Sequence, residues 1–247
     1  MMHFNFACQK GLPCFTQCCQ DVNIFLSPYD VLRIKNRLGI SSEDFLESYT
    51  AILVHKDSGI PVVRLNMVGE DRKCPFVTPE GCSIYPDRPW ACRMAPVDVD
   101  EAGNITFLLD KTQCLGLNEP TEWTLETWLV DQGLDAYPEV EATFNEIMCS
   151  AALREQYVLN PDLTGMFLMA AYNVDRFRRF VFESGFFNVF DIPAETIEAV
   201  RTDDVELLKL GFQWLKFGLL DRSALKIREE EVEARRAEAI KGKKAPR

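Results

Sequence analysis

Four thiols crowd the start of the chain, Cys8, Cys14, Cys18 and Cys19, and four more follow at Cys74, Cys82, Cys92 and Cys114. Thiolates are soft, charged donors for zinc, iron and cuprous copper, and four of them complete a tetrahedral zinc site or hold an iron-sulfur cluster. Their spacings are C-x5-C-x3-C-C, then C-x7-C-x9-C, then a last cysteine 22 positions on. This is neither a C-x2-C zinc ribbon nor the C-x2-C-x2-C run of ferredoxins, so spacing leaves the metal open. Side chains of neighbouring residues diverge in any regular backbone, so Cys18 and Cys19 face either two metals or one larger cluster. The pair and the eight available thiols suit an iron-sulfur cluster, with zinc as the alternative.

So many thiolates need positive charge close by. Arg72 and Lys73 directly precede Cys74, and Arg88 and Arg93 bracket Cys92. Two histidines, His3 and His55, are further candidate ligands, but one falls in a loose end and the other at a hairpin edge. Cys149 stands apart in a helical stretch and reads as a buried apolar residue. An odd cysteine count and a start without a secretory pattern argue against a disulfide framework. The expected setting is the reducing cytoplasm.

The elements that present these thiols are short. Val22 to Leu26 reads as a strand. Ser27-Pro28-Tyr29-Asp30 offers an N-cap, a first-turn proline and an acid at N3, opening a helix that Gly39 ends. Ser41 or Ser42 opens a second, with Phe45, Leu46 and Tyr49 as its apolar residues. Ala51 to Val54 and Val62 to Val68, around Asp57-Ser58-Gly59, read as a hairpin; Val97 to Val99 and Ile105 to Leu109, around Ala102-Gly103-Asn104, read as another. Between them, Arg72 to Pro96 is an irregular loop carrying five prolines and three cysteines. A loop of that kind inside a compact domain needs something to hold it, and metal ligation suffices. Pro86 and Pro89 restrict the backbone presenting Cys82 and Cys92, while Tyr85 and Trp90 are placed to shield the site from water.

From about Thr121 the pattern turns helical, with helices predicted near 121–132, 138–157, 162–184, 194–201 and 203–219. In the third, Met166, Phe167, Met169, Phe177 and Phe180 are candidate core. The charged end from Asp221 onward reads as a solvated helix fraying into a basic tail. These patterns give an α+β fold with a cysteine-rich metal-binding module over 1–118, a helical region over 119–220 packed on it, and a tail over 221–247.

Composition narrows the function classes. At 247 residues and 47% hydrophobic, the chain can fill a sizeable core. A net charge of −11 repels phosphate backbones, so no nucleic-acid partner is expected. The longest uncharged apolar run, Leu163 to Val174, is too short for a bilayer, so no membrane partner is expected either. No G-x-G occurs, which removes the usual mark of a Rossmann cofactor fold. Neither a nucleophile-histidine-acid triad nor a paired-carboxylate site can be assembled, and no catalytic residue is assigned.

Phe6-Ala-Cys8 through Cys14-Phe-Thr-Gln-Cys18-Cys19, then Leu26-Ser-x-x-Asp30-x-x-Arg33-Ile34, then Cys74-Pro-Phe and Gly81-Cys82-Ser-Ile84-Tyr85-Pro-Asp-Arg88-Pro89-x-x-Cys92-Arg93 resemble the YkgJ-like cysteine-cluster family. The family is also called the zinc- or iron-chelating CxxCxxCC domain. The likeness spans about residues 4 to 115. It implies a metal site of eight cysteines, here Cys8, Cys14, Cys18, Cys19, Cys74, Cys82, Cys92 and Cys114, although the first cluster is more widely spaced than the family name. Relatives described as flagellin lysine N-methylases make protein-lysine methylation the alternative function. The leading expectation is a metal-binding protein with a structural, redox or sensory role.

Overall fold

The computed structural model describes residues 3–56, 58–100, 104–151, 153 and 159–231. The fold is α+β, with short strands in small antiparallel sheets followed by a helical C-terminal part. Two compact units are present: Met1–Val54 with Pro61–Val140, and His55–Ile60 with Glu141–Arg247.

In the first unit, strand β1 (His3–Asn5) lies against a distant strand, β9 (Glu122–Thr124), with Phe4 opposite Trp123. The pairing continues as single bonds: Phe6 N donates to Thr121 O at 2.8 Å, and Ala7 N donates to Gly116 O at 3.0 Å. Phe4 and Phe6 stand edge-on to Trp128, in a core with Met94, Val97, Leu117, Leu134 and Tyr137. Cys114 packs against that core. The pairing corrects the helix expected over 121–132. Residues 122–124 are strand, and Thr124 with Thr127 forms a capping box that opens α4 (Leu125–Asp131) only afterwards.

Strand β2 shrinks from the expected Val22–Leu26 to Phe25–Leu26 and joins β3 (Thr50–Val54) and β4 (Pro61–Leu65) in the order β2-β4-β3. Leu26 faces Val63 in this register, and both are buried. The β3–β4 hairpin agrees with the sequence pattern; Asp57 in its turn lies outside the described residues. Helix α1 (Pro28–Leu38) has the expected capping box of Ser27 and Asp30 and ends at Gly39 in the left-handed region, while Ser41 caps α2 (Ser42–Tyr49).

The proline-rich loop has more order than its sequence implies. It contains a two-residue-per-strand hairpin, β5 (Val77–Thr78) with β6 (Gly81–Cys82), a 3-10 turn at Tyr85–Asp87, and the short helix α3 (Trp90–Met94). The second expected hairpin forms as β7 (Val97–Val99) and β8 (Ile105–Phe107); Ala102 and Gly103 of its turn lie outside the described residues. Helix α5 (Ala136–Cys149) begins in this unit.

The second unit is built on α10 (Asp204–Leu219), whose Leu207, Leu208, Phe212 and Leu215 are buried. The single helix expected over 162–184 is two, α6 (Pro161–Ala171) and α7 (Val174–Glu183). Asn173 causes the break: its side chain accepts from Arg176 N at 3.1 Å, a cap that competes with continuing the helix. Phe167 and Phe177 are fully buried as expected, while Met166, Met169 and Phe180 are half-buried. Helices α8 (Phe186–Val189) and α9 (Ala194–Thr202) complete the unit. No described helix is long and apolar enough to cross a membrane. The basic tail beyond residue 231 and most of 152–158 fall outside the described residues.

Candidate metal centre

All eight N-terminal thiols belong to the first unit, and its backbone brings them together from both ends of a 107-residue span. The bond from Ala7 N to Gly116 O sets Cys8 beside the turn that follows Cys114. Gly116 has to be glycine there, since a Cβ would stand 2.6 Å from Ala7 O and 2.9 Å from the Phe6 ring. Leu115 N donates to Cys14 Sγ at 3.3 Å, which brings Cys14 to the same place. A 3-10 turn (Gln17–Cys19) then carries Cys18 and Cys19.

On the other side, Cys74 N donates to Cys19 O at 2.8 Å, and Gln20 pairs with Lys73. The small β5–β6 hairpin puts Cys82 opposite Val77, three residues after Cys74. Gly81 takes φ +120°, open only to glycine, with the Phe15 ring 3.2 Å from where its Cβ would be. Helix α3 supplies Cys92.

Several sulfurs face backbone N–H groups, the donors that favour a thiolate over a thiol. The N–H groups of Phe76 and Val77 lie near enough to Cys74, that of Ile84 to Cys82, and those of Leu117 and Gly116 to Cys114 to favour the thiolate, although Val77 N and Leu117 N donate to the Cys74 and Cys114 carbonyls at 3.1 Å. Burial works the other way and dominates. It pushes Cys74, Cys82 and Cys114 up, Cys8 up to about 11 and Cys92 up to about 12, with neighbouring thiols adding to the last two. Between the adjacent pair, the Cys19 thiol donates to Cys18, which brings Cys18 down to about 7 and pushes Cys19 up. Among the described residues no three Cys, His, Asp or Glu side chains stand close enough to hold an ion as they are. Ligation would turn the sulfurs inward about χ1, the one torsion that moves a cysteine sulfur.

The positive charges do something other than expected. Arg72 pairs with Asp21 at 2.6 Å and Lys73 with Asp71 at 3.0 Å, both at the surface. Arg88 stays near enough to Cys82 to favour its thiolate, but its own N–H groups go to Tyr85 O at 2.7 Å and to the Gln132 side chain. Buried Arg93 donates to Arg88 O at 2.9 Å, Gln132 O at 2.6 Å and Pro86 O. Arg33 reaches Pro86 O at 2.7 Å and Asp87 at 3.2 Å. Three arginines therefore clasp the carbonyls of the 85–88 turn, between Cys82 and Cys92. An arginine fork can satisfy several such carbonyls where proline-rich backbone makes no ladder.

Asp30 is the anchor that the sequence pattern understates. Beyond capping α1, it is buried, and its carboxylate accepts from Ser27 N at 2.9 Å, Trp90 N at 2.8 Å and Tyr137 Oη at 2.7 Å. The contact to Trp90 holds the first turn of the helix bearing Cys92. Burial raises the Asp30 carboxyl above its usual range, and the three donors oppose that.

Three expectations are corrected. Cys149 is exposed, not buried: Ile147 holds the inward face of α5, and two residues on, about 200° around the helix, lies outside it. Tyr85 and Trp90, expected as a shield, are 56% and 43% exposed, and the Tyr85 ring lies 3.9 Å beneath the Arg88 guanidinium. The histidines are engaged elsewhere, His3 with Glu122 at 3.1 Å and His55 with the Ser58 hydroxyl at 3.1 Å.

No curated protein and no solved structure matches the chain. A family model does match residues 7–116, just under half of the sequence and the whole span of the eight thiols. Its description is "putative zinc- or iron-chelating domain", which says nothing of lysine methylation. Over residues 7–116 the chain is thus similar to the CxxCxxCC family, whose domain is described as zinc- or iron-chelating.

Proposed function

We propose that the first unit binds metal through Cys8, Cys14, Cys18, Cys19, Cys74, Cys82, Cys92 and Cys114, with an iron-sulfur cofactor preferred to zinc and a structural, redox or sensory role. One observation carries the reading. Backbone bonds tie together the three stretches that carry these eight thiols, Ala7 to Gly116 and Cys19 to Cys74, with Leu115 N on Cys14 Sγ, while the ninth, Cys149, belongs to the second unit. Setting partly buried thiols near one another raises the pKa of most of them and gains nothing for a metal-free protein, whereas deprotonation by a bound metal gives the arrangement a purpose. The N–H of Leu115 on Cys14 Sγ, with further N–H groups near Cys74, Cys82 and Cys114, is the kind of surrounding that would steady ligand charge and tune potential in thiolate-bound iron. When bound, an iron-sulfur cofactor supplies one-electron chemistry. The chain's own part is to fix the sulfurs and to limit their contact with water.

The test is purification without oxygen followed by iron, zinc and acid-labile sulfide analysis. Iron and sulfide in comparable amounts are expected. Stoichiometric zinc without sulfide would refute the iron-sulfur preference, and protein with no bound metal would refute the reading itself.

A further inference from the structure

Resting on that reading, we propose that the eight thiols make two separate four-cysteine metal centres, Cys8/Cys14/Cys18/Cys114 and Cys19/Cys74/Cys82/Cys92, divided between the adjacent residues Cys18 and Cys19.

The backbone draws this division. The hydrogen bonds that bring the first cluster to the Cys114 turn come from residues ahead of Cys18: Ala7 N to Gly116 O at 3.0 Å, the Gln9 amide to Glu119 at 3.4 Å, and Leu115 N to Cys14 Sγ at 3.3 Å. The backbone hydrogen bonds that bring the first cluster to the proline-rich loop begin at Cys19: Cys74 N to Cys19 O at 2.8 Å, the Gln20–Lys73 bridge, and Asp21 N to Arg72 O at 2.9 Å. Backbone bonding thus changes partner between Cys14 and Cys19, and the neighbours of Cys18 place it with the first set. The 3-10 turn there has three residues per turn, so successive side chains leave it about 120° apart, and the Cys18 and Cys19 thiols stay within reach of each other where the two sets meet.

Electrostatic neighbours give the same sets. Cys8 feels Cys18, Cys114 and Cys14, and Cys114 feels Cys14 and Cys18. Cys19 feels Cys74 and Cys92, and Cys92 feels Cys74 and Cys82. Cys18 alone crosses over, to Cys19 and Cys92, so the two centres are close neighbours. Their surroundings differ. The first set packs on the Phe4, Phe6 and Trp128 core through Cys114, whereas the second lies beside the arginine-held turn and the Asp30 carboxylate. Four thiolates carry charge −4, which suits a four-coordinate divalent ion or a single cluster; neither set needs to share a sulfur with the other.

Two variants test this, Cys8→Ser with Cys114→Ser, and Cys82→Ser with Cys92→Ser, each purified anaerobically for metal and sulfide content alongside wild type. Each double variant should keep about half of the wild-type metal, and the four-site combination none. Complete loss in a double variant whose circular dichroism matches wild type would overturn the division while leaving metal binding intact. No metal in wild type would remove the underlying reading instead. Because a variant could fail to fold, metal-free wild type is also loaded with cadmium and weighed by native mass spectrometry. Two ions per chain are expected; three or four, which require sulfurs shared between ions, would overturn the proposal.

Discussion

Replacing Asp30 with alanine should destabilise the metal-free protein by about 3 kcal/mol. The carboxylate takes three hydrogen bonds, from Ser27 N, Trp90 N and Tyr137 Oη, and is 1% exposed. Each donor stranded by truncation costs about 1–3 kcal/mol, the low end applying to the two part-buried amides that water can reach. Relief of the buried charge offsets part of that total. Asparagine separates the contributions. Its one oxygen can still accept from Trp90 and Tyr137, but its amide group would face the Ser27 N–H, so Asp30→Asn should lose only the cap, about 1 kcal/mol. Urea unfolding followed by tryptophan fluorescence reads both, because Trp90, Trp123 and Trp128 lie in the first unit. The pH dependence has a fixed sign. Burial holds the Asp30 pKa above its ordinary 3.8, so its linked stability is complete below 3.8 and is lost as pH rises through the folded value. The gap between wild type and Asp30→Ala should therefore narrow toward higher pH. An alanine variant within 0.5 kcal/mol of wild type, roughly the scatter of neutral surface changes, or one no worse than asparagine, would refute the anchoring role.

Arg93→Ala, which strands the carbonyls of Arg88 and Gln132 and leaves Pro86 O to Arg33 alone, should cost about 2–4 kcal/mol in the same unfolding assay, and Arg93→Lys should recover little because one ammonium cannot span all three. Thr16 holds φ 66° just before the turn bearing Cys18 and Cys19, a conformation costly for a β-branched residue, so Thr16→Gly should raise stability by about 1 kcal/mol; a loss of stability would show that the Thr16 side chain is needed. Cys8 and Cys92 titrate near 11 and 12 instead of the ordinary 9.0, so the metal-free fold should lose stability from pH 9 upward to about 12. The same shifts mean that metal loading at pH 8 expels protons, which calorimetry in buffers of different ionisation heat will register; equal heats in all buffers would contradict this.

The sequence made the local features readable because they depend on near neighbours. Ser27, Pro28 and Asp30 opened α1, Gly39 closed it, and the β3–β4 hairpin followed from alternating residues. Eight thiols in three stretches pointed to one unit, since thiol chemistry needs them together. What escaped was long-range. The strand at His3–Asn5 has no pattern of its own and exists through its partner more than a hundred residues away. Asp30 looked like a helix cap because its bonds to Trp90 and Tyr137 cross 60 and 107 residues. The arginines near Cys92 were read as counter-charges for sulfur, but prolines leave carbonyls without ladder partners, and the guanidinium groups satisfy those. Cys149 was misread because an apolar helical stretch does not say which face turns inward.

Differential alkylation tests the central claim most directly. Cys8, Cys18 and Cys149 are all exposed, and Cys18, brought down to about 7, would be the readiest nucleophile of the three in a metal-free protein. Protein isolated without oxygen is treated with iodoacetamide and its cysteines are mapped by mass spectrometry, before and after removal of metal by acid and chelator. Metal ligation predicts that Cys149 alone is labelled at first and that the other eight become reactive only after stripping. Labelling of Cys8 and Cys18 in the isolated protein as fast as Cys149 would contradict it.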